Sequence, residues 1–389
     1  MNRTLKVLHL IEDLGSGGAE RLLYTNLRHL DSAVIESEVV TVFGHHDFWK
    51  VHIEELGVKV SGLGCDRYSD IPRGVSRLRR HIAADPPDLI HTHLFAANVV
   101  GRIAGRLQGI PVVSSIHNPE YEPEALDSVS ASRKAKITTA RLIDSITAST
   151  GCTKMVGVSE FVRDSVVKKL GYPAAKIEII YNPITSADVK PINDREAVLE
   201  GLGLPANARV LLNVGRVGPQ KGMLNAIGSM PGILEEVPNT YFLSVGAQPE
   251  PDYLRRVNDK IGELGVQDRV RLLGQRNDIA DLLASCDVFV FPSLFEGLGI
   301  ALAEAMAAGC ACVVSDIKPF DEFLTNGGNA VIVPPANPEE LSKAIVELLR
   351  DDEKRRKLGA AARETAIRMF SPGPAARKLE AMYAATAKS

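Results

Sequence analysis

Phe295-Glu296-Gly297-Leu298-Gly299-Ile300-Ala301-Leu302-Ala303-Glu304-Ala305-Met306-Ala307-Ala308-Gly309 reads as a glycine loop followed by a helix in which every neighbour of Glu304 is apolar. The apolar runs Val288–Phe291 and Ala311–Ser315 flank it, so the stretch is the crossover of a strand–helix–strand unit. A carboxylate in the middle of Ile-Ala-Leu-Ala-Glu-Ala-Met-Ala-Ala has no solvated face, and burying it unpaired is costly or forces it to hold a proton. Glu304 is therefore expected to meet something polar that the protein binds. Glu296 lies eight residues earlier on the loop, where it can bend back over the helix start. Eight helical residues rise roughly 12 Å, so the pair brackets a ligand about 10 Å long, on the order of a sugar joined through a diphosphate to a ribose. Gly297 and Gly299 let backbone N–H groups at a helix N-terminus approach an anion closely. The plainer alternative makes Glu296 a carboxylate complementing the helix dipole and Glu304 an internal acid bonded to another side chain.

The same alternation runs outward in both directions. Strands are expected at Val7–Ile11, Val39–Phe43, Leu89–His91, Val112–Ser115, Met155–Val158 and Ile177–Ile180. A second series is expected at Val210–Val214, Tyr241–Val245, Val270–Leu273, Val288–Phe291, Ala311–Ser315 and Ala330–Val333. Helical patterns such as Ala19–His29 and Asn98–Leu107 lie between them. Repeated strand-then-helix order means parallel sheets covered by helices, and two such series in 389 residues predict two Rossmann-like domains. Phe370-Ser371-Pro372-Gly373-Pro374 interrupts the chain before a last helix, Ala375 to about Ala384, set to cross back onto the first domain.

Composition narrows the class. Apolar residues make up 45%, mean hydropathy is near zero and the net charge is −3, as in a globular protein with no electrostatic footprint for nucleic acid. Five cysteines without a C-x-x-C pair read as reduced thiols of a cytoplasmic protein. The run Val7–Ile11 is too brief for a signal-peptide core, and no stretch reaches the ~18 apolar residues of a membrane span. The basic stretch Arg67–His81 reads first as a solvated helix face, and second as a first-domain surface for peripheral contact with the inner membrane face.

Other constellations sit at the C-terminal edges of expected strands, where parallel sheets bind ligands. Asn213-Val214-Gly215-Arg216-Val217-Gly218-Pro219-Gln220-Lys221-Gly222 carries Arg216 and Lys221 on a tight loop suited to a diphosphate. Gly15-Ser16-Gly17-Gly18 fails the spacing of a dinucleotide fingerprint but lets backbone approach a ligand. His117 follows Val112–Ser115 and can donate to a sugar hydroxyl or phosphate. His91-Thr92-His93 puts two rings on one face of a strand, but without a nearby cysteine or carboxylate cluster it is not read as a metal site. No Asp-x-Asp occurs to hold a divalent cation on a sugar diphosphate.

Together these residues resemble the retaining glycosyltransferases of family 4, of GT-B architecture. The resemblance runs nearly end to end, through Gly17-Gly18-Ala19-Glu20-Arg21, His91-x-His93, His117, Val158-Ser159-Glu160, Asn182, Gly215-Arg216, Lys221-Gly222, Glu296-x7-Glu304 and Ser315-Asp316. It implies two Rossmann-like domains facing a cleft: an acceptor domain, 1–185 with the terminal helix 373–389, and a nucleotide-sugar donor domain, 186–372. It assigns Arg216 and Lys221 to the diphosphate, with the amides of Leu298 and Gly299, and Glu304 to the ribose. It assigns Glu296, beside Gly297, to the donor sugar. Gly17 and Gly18 would lie near the phosphate, His117 near the sugar, and Arg276 with Asn277 at the base. Catalysis would fall to Glu296, His117, Arg216 and Lys221. The implied donor is a nucleoside-diphosphate sugar, with UDP preferred on frequency, and the implied acceptor a saccharide or lipid-linked glycan of the cell envelope. No metal or other cofactor is required. The phosphate leaves from the face that the acceptor attacks, and Glu296 positions the sugar instead of attacking it. Departures such as Asn182-Pro183 and Asn329-Ala330 fall outside the donor set. The competing readings are a nucleotide-sugar isomerase or epimerase of the same architecture, and a non-catalytic nucleotide-sugar binder.

Overall fold

The computed structural model describes residues 3–15, 17–123, 131–185 and 189–388. The chain divides into two compact units: Met1–Pro183 with Pro372–Ser389, and Ile184–Ser371.

The first unit is built on a seven-stranded sheet in the order β3-β2-β1-β4-β5-β6-β7. Its strands are β1 Leu5–Ile11, β2 Ile35–Phe43, β3 Lys59–Cys65, β4 Leu89–His93, β5 Val112–Ile116, β6 Lys154–Gly157 and β7 Ile177–Ile179. All pairings are parallel. Period-two alternation sorts the strand residues between two apolar layers. Leu8, Leu10, Ile90 and Val112 pack with Leu78 and Ile82 of the helix Ile71–Ala84 and with Ala96–Ala104 of the helix Phe95–Gln108. Val7, Leu89 and Val113 face the other way and pack with Leu379, Met382 and Tyr383 of the terminal helix Pro372–Thr386. The last helix is therefore part of the first unit's core.

The second unit has six strands in the order β10-β9-β8-β11-β12-β13. They are β8 Arg209–Val214, β9 Thr240–Val245, β10 Val270–Leu272, β11 Val288–Phe291, β12 Cys312–Ser315 and β13 Val331–Val333, again all parallel. One face is closed by the helices Met223–Glu236, Pro251–Glu263 and Pro338–Arg350 around Leu211, Val288, Val290 and Val313. In each sheet the chain steps outward twice and returns beside its starting strand, β4 beside β1 and β11 beside β8. The crevice outside the carboxyl ends of those two neighbours is where such sheets bind ligands.

Three differences from the sequence-based expectation have local causes. β3 was not expected: Lys-Val-Ser-Gly-Leu-Gly-Cys has two interior glycines, and as an edge strand it buries only Leu63 and Cys65. β2 begins at Ile35 instead of Val39, because Glu38 is buried yet paired with Lys59 at 2.8 Å and His81 at 3.3 Å. The terminal helix starts at Pro372, since proline's fixed φ and missing N–H suit the first helical turn. The basic stretch is a helix from Ile71, and Arg77 donates to the carbonyls of Leu63 and Gly64, closing the edge of β3.

Candidate functional site

In the second unit the loops after β8 and β11 are stitched together. The Leu294 amide donates to Gln220 O at 2.8 Å, and Gln220 Nε2 donates to Phe295 O at 3.0 Å. Gly222 has φ +62° between the short helical turn Pro219–Lys221 and the helix Met223–Glu236. A Cβ there would stand 1.9 Å from Pro292 O, so only glycine lets the loops approach this closely. Gly299, at φ +86°, caps the helix Ile300–Ala308, and a Cβ would press on Phe291 and Phe320. Behind the loops Asn213 is fully buried and donates from Nδ2 to Val290 O at 2.8 Å, tying β8 to β11.

This stitching brings Lys221 and Glu296 together. Lys221 Nζ donates to Glu296 Oε1 at 2.6 Å, and the same ammonium lies 4.9 Å from the centre of the Phe291 ring. Glu296 is 4% exposed. A charge pair this deep is retained only with close geometry and further hydrogen-bonding partners. Glu304 is 3% exposed, on the helix that starts one residue after Gly299. Gly297 and Leu298 of the same loop are buried, and Arg216 in the loop after β8 is exposed. The loops after β8, β9 and β10 are layered through Gly215 N to Val245 O, Val217 N to Ala247 O and Gly246 N to Gly274 O, each 2.8 Å. Arg276 and Asn277 follow in the outermost layer, both exposed, with Arg276 Nε donating to Asp278 at 2.8 Å. The charged loop residues thus run along one sheet edge, from β10 through β8 to β11.

In the first unit His117 follows β5, half-buried, its ring stacked on His93 with centroids 5.6 Å apart. Its Nε2 has no hydrogen-bond partner among the described residues, and burial pulls its pKa down to about 4, so the ring is neutral. Gly17 caps the helix Gly18–His29, and both glycines are exposed. Glu20 in that helix's first turn is pushed up to about 7, by burial first and then by repulsion from Asp13 and Glu12. Glu12 accepts from Ala96 N at 2.6 Å and from the Tyr68 hydroxyl at 3.4 Å. Of the loop 118–130 that follows His117, residues 124–130 lie outside the described residues.

Several features here carried no readable signal in the chain. Asn213 stood in a quoted motif without a role, and its bond crosses 77 residues. Ser293 and Ser315 are fully buried at the same sheet edge, with hydroxyls lacking a hydrogen-bond partner among the described residues. The pair His91 and His93 is joined by His9, opposite His91 on the neighbouring strand.

The sequence profile described as Glycosyl transferases group 1 matches residues 194–365, and that described as Glycosyltransferase Family 4 matches residues 16–187. The UDP-Gal:alpha-D-GlcNAc-diphosphoundecaprenol alpha-1,3-galactosyltransferase of Escherichia coli is 30% identical over 268 residues, covering 68% of this chain and 67% of its own. The alpha-maltose-1-phosphate synthase of Mycolicibacterium smegmatis is 28% identical, covering 74% and 76% respectively. Among solved structures, Anabaena HepE in complex with UDP and glucose superposes with a TM-score of 0.85 at 22% identity, over 98% of this chain and 100% of that one.

Proposed function

The chain belongs to the family 4 glycosyltransferases and has their GT-B fold, and from that premise we propose that it transfers a hexosyl unit from a UDP-sugar to a saccharide hydroxyl with retention of configuration. The observation that carries the site is the part-buried Lys221–Glu296 pair, held between the two glycine loops that follow β8 and β11. Cleaving the donor's glycosidic bond places negative charge on the diphosphate and positive charge on the sugar ring. Arg216, Lys221 and the amides of Leu298 and Gly299 stabilise the first. Glu296 already accepts a charge-assisted hydrogen bond, which suits it to orient sugar hydroxyls better than to attack carbon. Glu304 would bind the ribose, Arg276 and Asn277 the base, and neutral His117 a sugar hydroxyl. Gly17 and Gly18 would face the phosphate. The acceptor proton passes to the departing phosphate oxygen, so neither a protein nucleophile nor a metal enters the donor chemistry. The unit Ile184–Ser371 would serve as the donor domain, and the unit completed by the terminal helix as the acceptor domain.

UDP is supported by the galactosyltransferase, whose donor is UDP-Gal, and by the neighbour that holds UDP and glucose. The galactosyltransferase also supports a lipid-linked acceptor in cell-envelope glycan synthesis. No helix among the described residues is long and apolar enough to cross a membrane. Such an acceptor would be reached from the cytoplasmic face, with Arg73, Arg79 and Arg80 exposed for peripheral contact.

The test incubates the protein with UDP-, GDP- and ADP-sugars and identifies the products. Release of UDP with slow appearance of free sugar, accelerated by a diphospholipid-linked GlcNAc, is expected. A new nucleotide sugar would indicate an isomerase, and binding without turnover a non-catalytic receptor. Lys221→Ala and Glu296→Ala should each lower kcat by at least about 100-fold. Glu296→Ala should keep the rise in Tm that UDP produces, because its side chain is assigned to the sugar. Full activity in either variant would remove the pair from the mechanism.

A further inference from the structure

His9, His91 and His93 converge inside the first unit, 1%, 1% and 0% exposed. His9 lies opposite His91 in the parallel β1–β4 ladder, and His93 is two residues further along β4. All three project from the sheet face that carries Val7 and Leu89, toward the terminal helix. Ring centroids are 5.6 Å apart for His9 and His91, 6.2 Å for His9 and His93, and 4.3 Å for His91 and His93. One nitrogen from each ring lies within 4.8 Å of the others.

As packing alone the cluster is expensive. His9 Nδ1 and both nitrogens of His93 are buried without a hydrogen-bond partner among the described residues. Each orphaned polar group costs roughly 1–3 kcal/mol, and an apolar side chain would fill the same space without that cost. His91 differs: one nitrogen is 2.6 Å from the Tyr383 hydroxyl and the other 2.8 Å from Ser115 Oγ. A metal bound at the nitrogen that faces Ser115 would displace that contact and leave the other nitrogen on Tyr383, the oxygen partner that fixes a ligating ring. Burial also holds all three rings neutral, the form that ligates.

We infer that His9, His91 and His93 form an internal site for one divalent transition-metal ion of zinc type. Three imidazole nitrogens fill three positions of a tetrahedral zinc centre, and Ser115 Oγ or a water molecule closes the fourth. Bonds of 2.0–2.1 Å require ligand nitrogens about 3.3 Å apart, so the rings close by turning about their side-chain bonds while the strands stay in register. The ion is structural: it clamps β1 to β4 and, through Tyr383, holds the terminal helix against the sheet. It borders the proposed site through His117, whose ring stacks on His93, but it does not depend on the sugar contact proposed for that residue.

The experiment uses the full chain without a histidine tag, grown with zinc, and measures metal per chain by elemental mass spectrometry and Tm before and after chelation. About one equivalent is expected, with Tm falling by roughly 5–10 °C on its removal and recovering with Zn²⁺ alone. His9→Gln and His93→Gln should lose the equivalent, whereas His45→Gln/His52→Gln, at exposed rings, should keep it. Should the buried variants fail to fold, Co²⁺ added to the chelated wild type should give the intense visible d–d bands of a low-coordinate nitrogen site. Substoichiometric metal with no Tm response, an equivalent that survives His9→Gln, or a weak aquo-like Co²⁺ spectrum would each overturn the site.

Discussion

Glu20 shows how one side chain ties the helix start at Gly17-Gly18 to pH. Burial, with Asp13 and Glu12 nearby, raises its carboxyl from 4.5 to about 7 in the folded chain. The folded state therefore holds this proton more tightly than the unfolded state. Its contribution to stability is full below pH 4.5 and is lost as pH rises through about 7. Comparing wild type with Glu20→Gln in urea isolates this group. Relative to wild type, the variant should gain roughly 2 kcal/mol between pH 4.5 and 8, allowing for solvent at a half-buried side chain. A difference that does not change with pH would show that the proton is not held. Glu304 was legible as a buried acid because its neighbours in sequence are its neighbours on the helix. The Glu296–Lys221 bond was not, since nothing in a one-dimensional string states that two loops 75 residues apart will touch.

At the scale of elements, the site is made by glycines that permit backbone contact between loops. Gly222 combines a left-handed φ with a carbonyl oxygen where a Cβ would go. Gly222→Ala must displace the Pro292 carbonyl, and with it the loop that presents Glu296. A stability loss of about 1–3 kcal/mol is expected, together with loss of the thermal shift by UDP. Calorimetry with and without the nucleotide reads both, and an unchanged UDP response would separate the loop stitching from donor binding. Most strands were legible because central parallel strands are continuous apolar runs. β3 was not, because a half-solvated edge strand with glycines lacks both alternation and hydrophobicity. The charged start of β2 was hidden because Glu38 is paired with Lys59, 21 positions away on the neighbouring strand.

At the scale of the whole molecule, the chain finishes its first core with its last helix. Leu379, 1% exposed, packs in one layer with Val7, Leu89 and Val113. Leu379→Ala should destabilise the first unit by about 2–4 kcal/mol, although the residue lies more than 260 positions from Val113. Denaturant unfolding followed by a probe in that unit measures this, and a loss below about 1 kcal/mol would mean that the helix merely rests on the surface. By itself the sequence determined the α/β class, the two strand–helix series, the glycine loops and the carboxylate that has no place in an apolar helix. Each of these is a local pattern of period, flank or composition. Only the tertiary structure decided that β11 lies beside β8 and β4 beside β1, and hence which distant groups meet. Lys221 finds Glu296, and His9 joins His91 and His93, because parallel strands pair across long crossovers. The register that aligns them is set by burial of the whole sheet, which no single segment encodes.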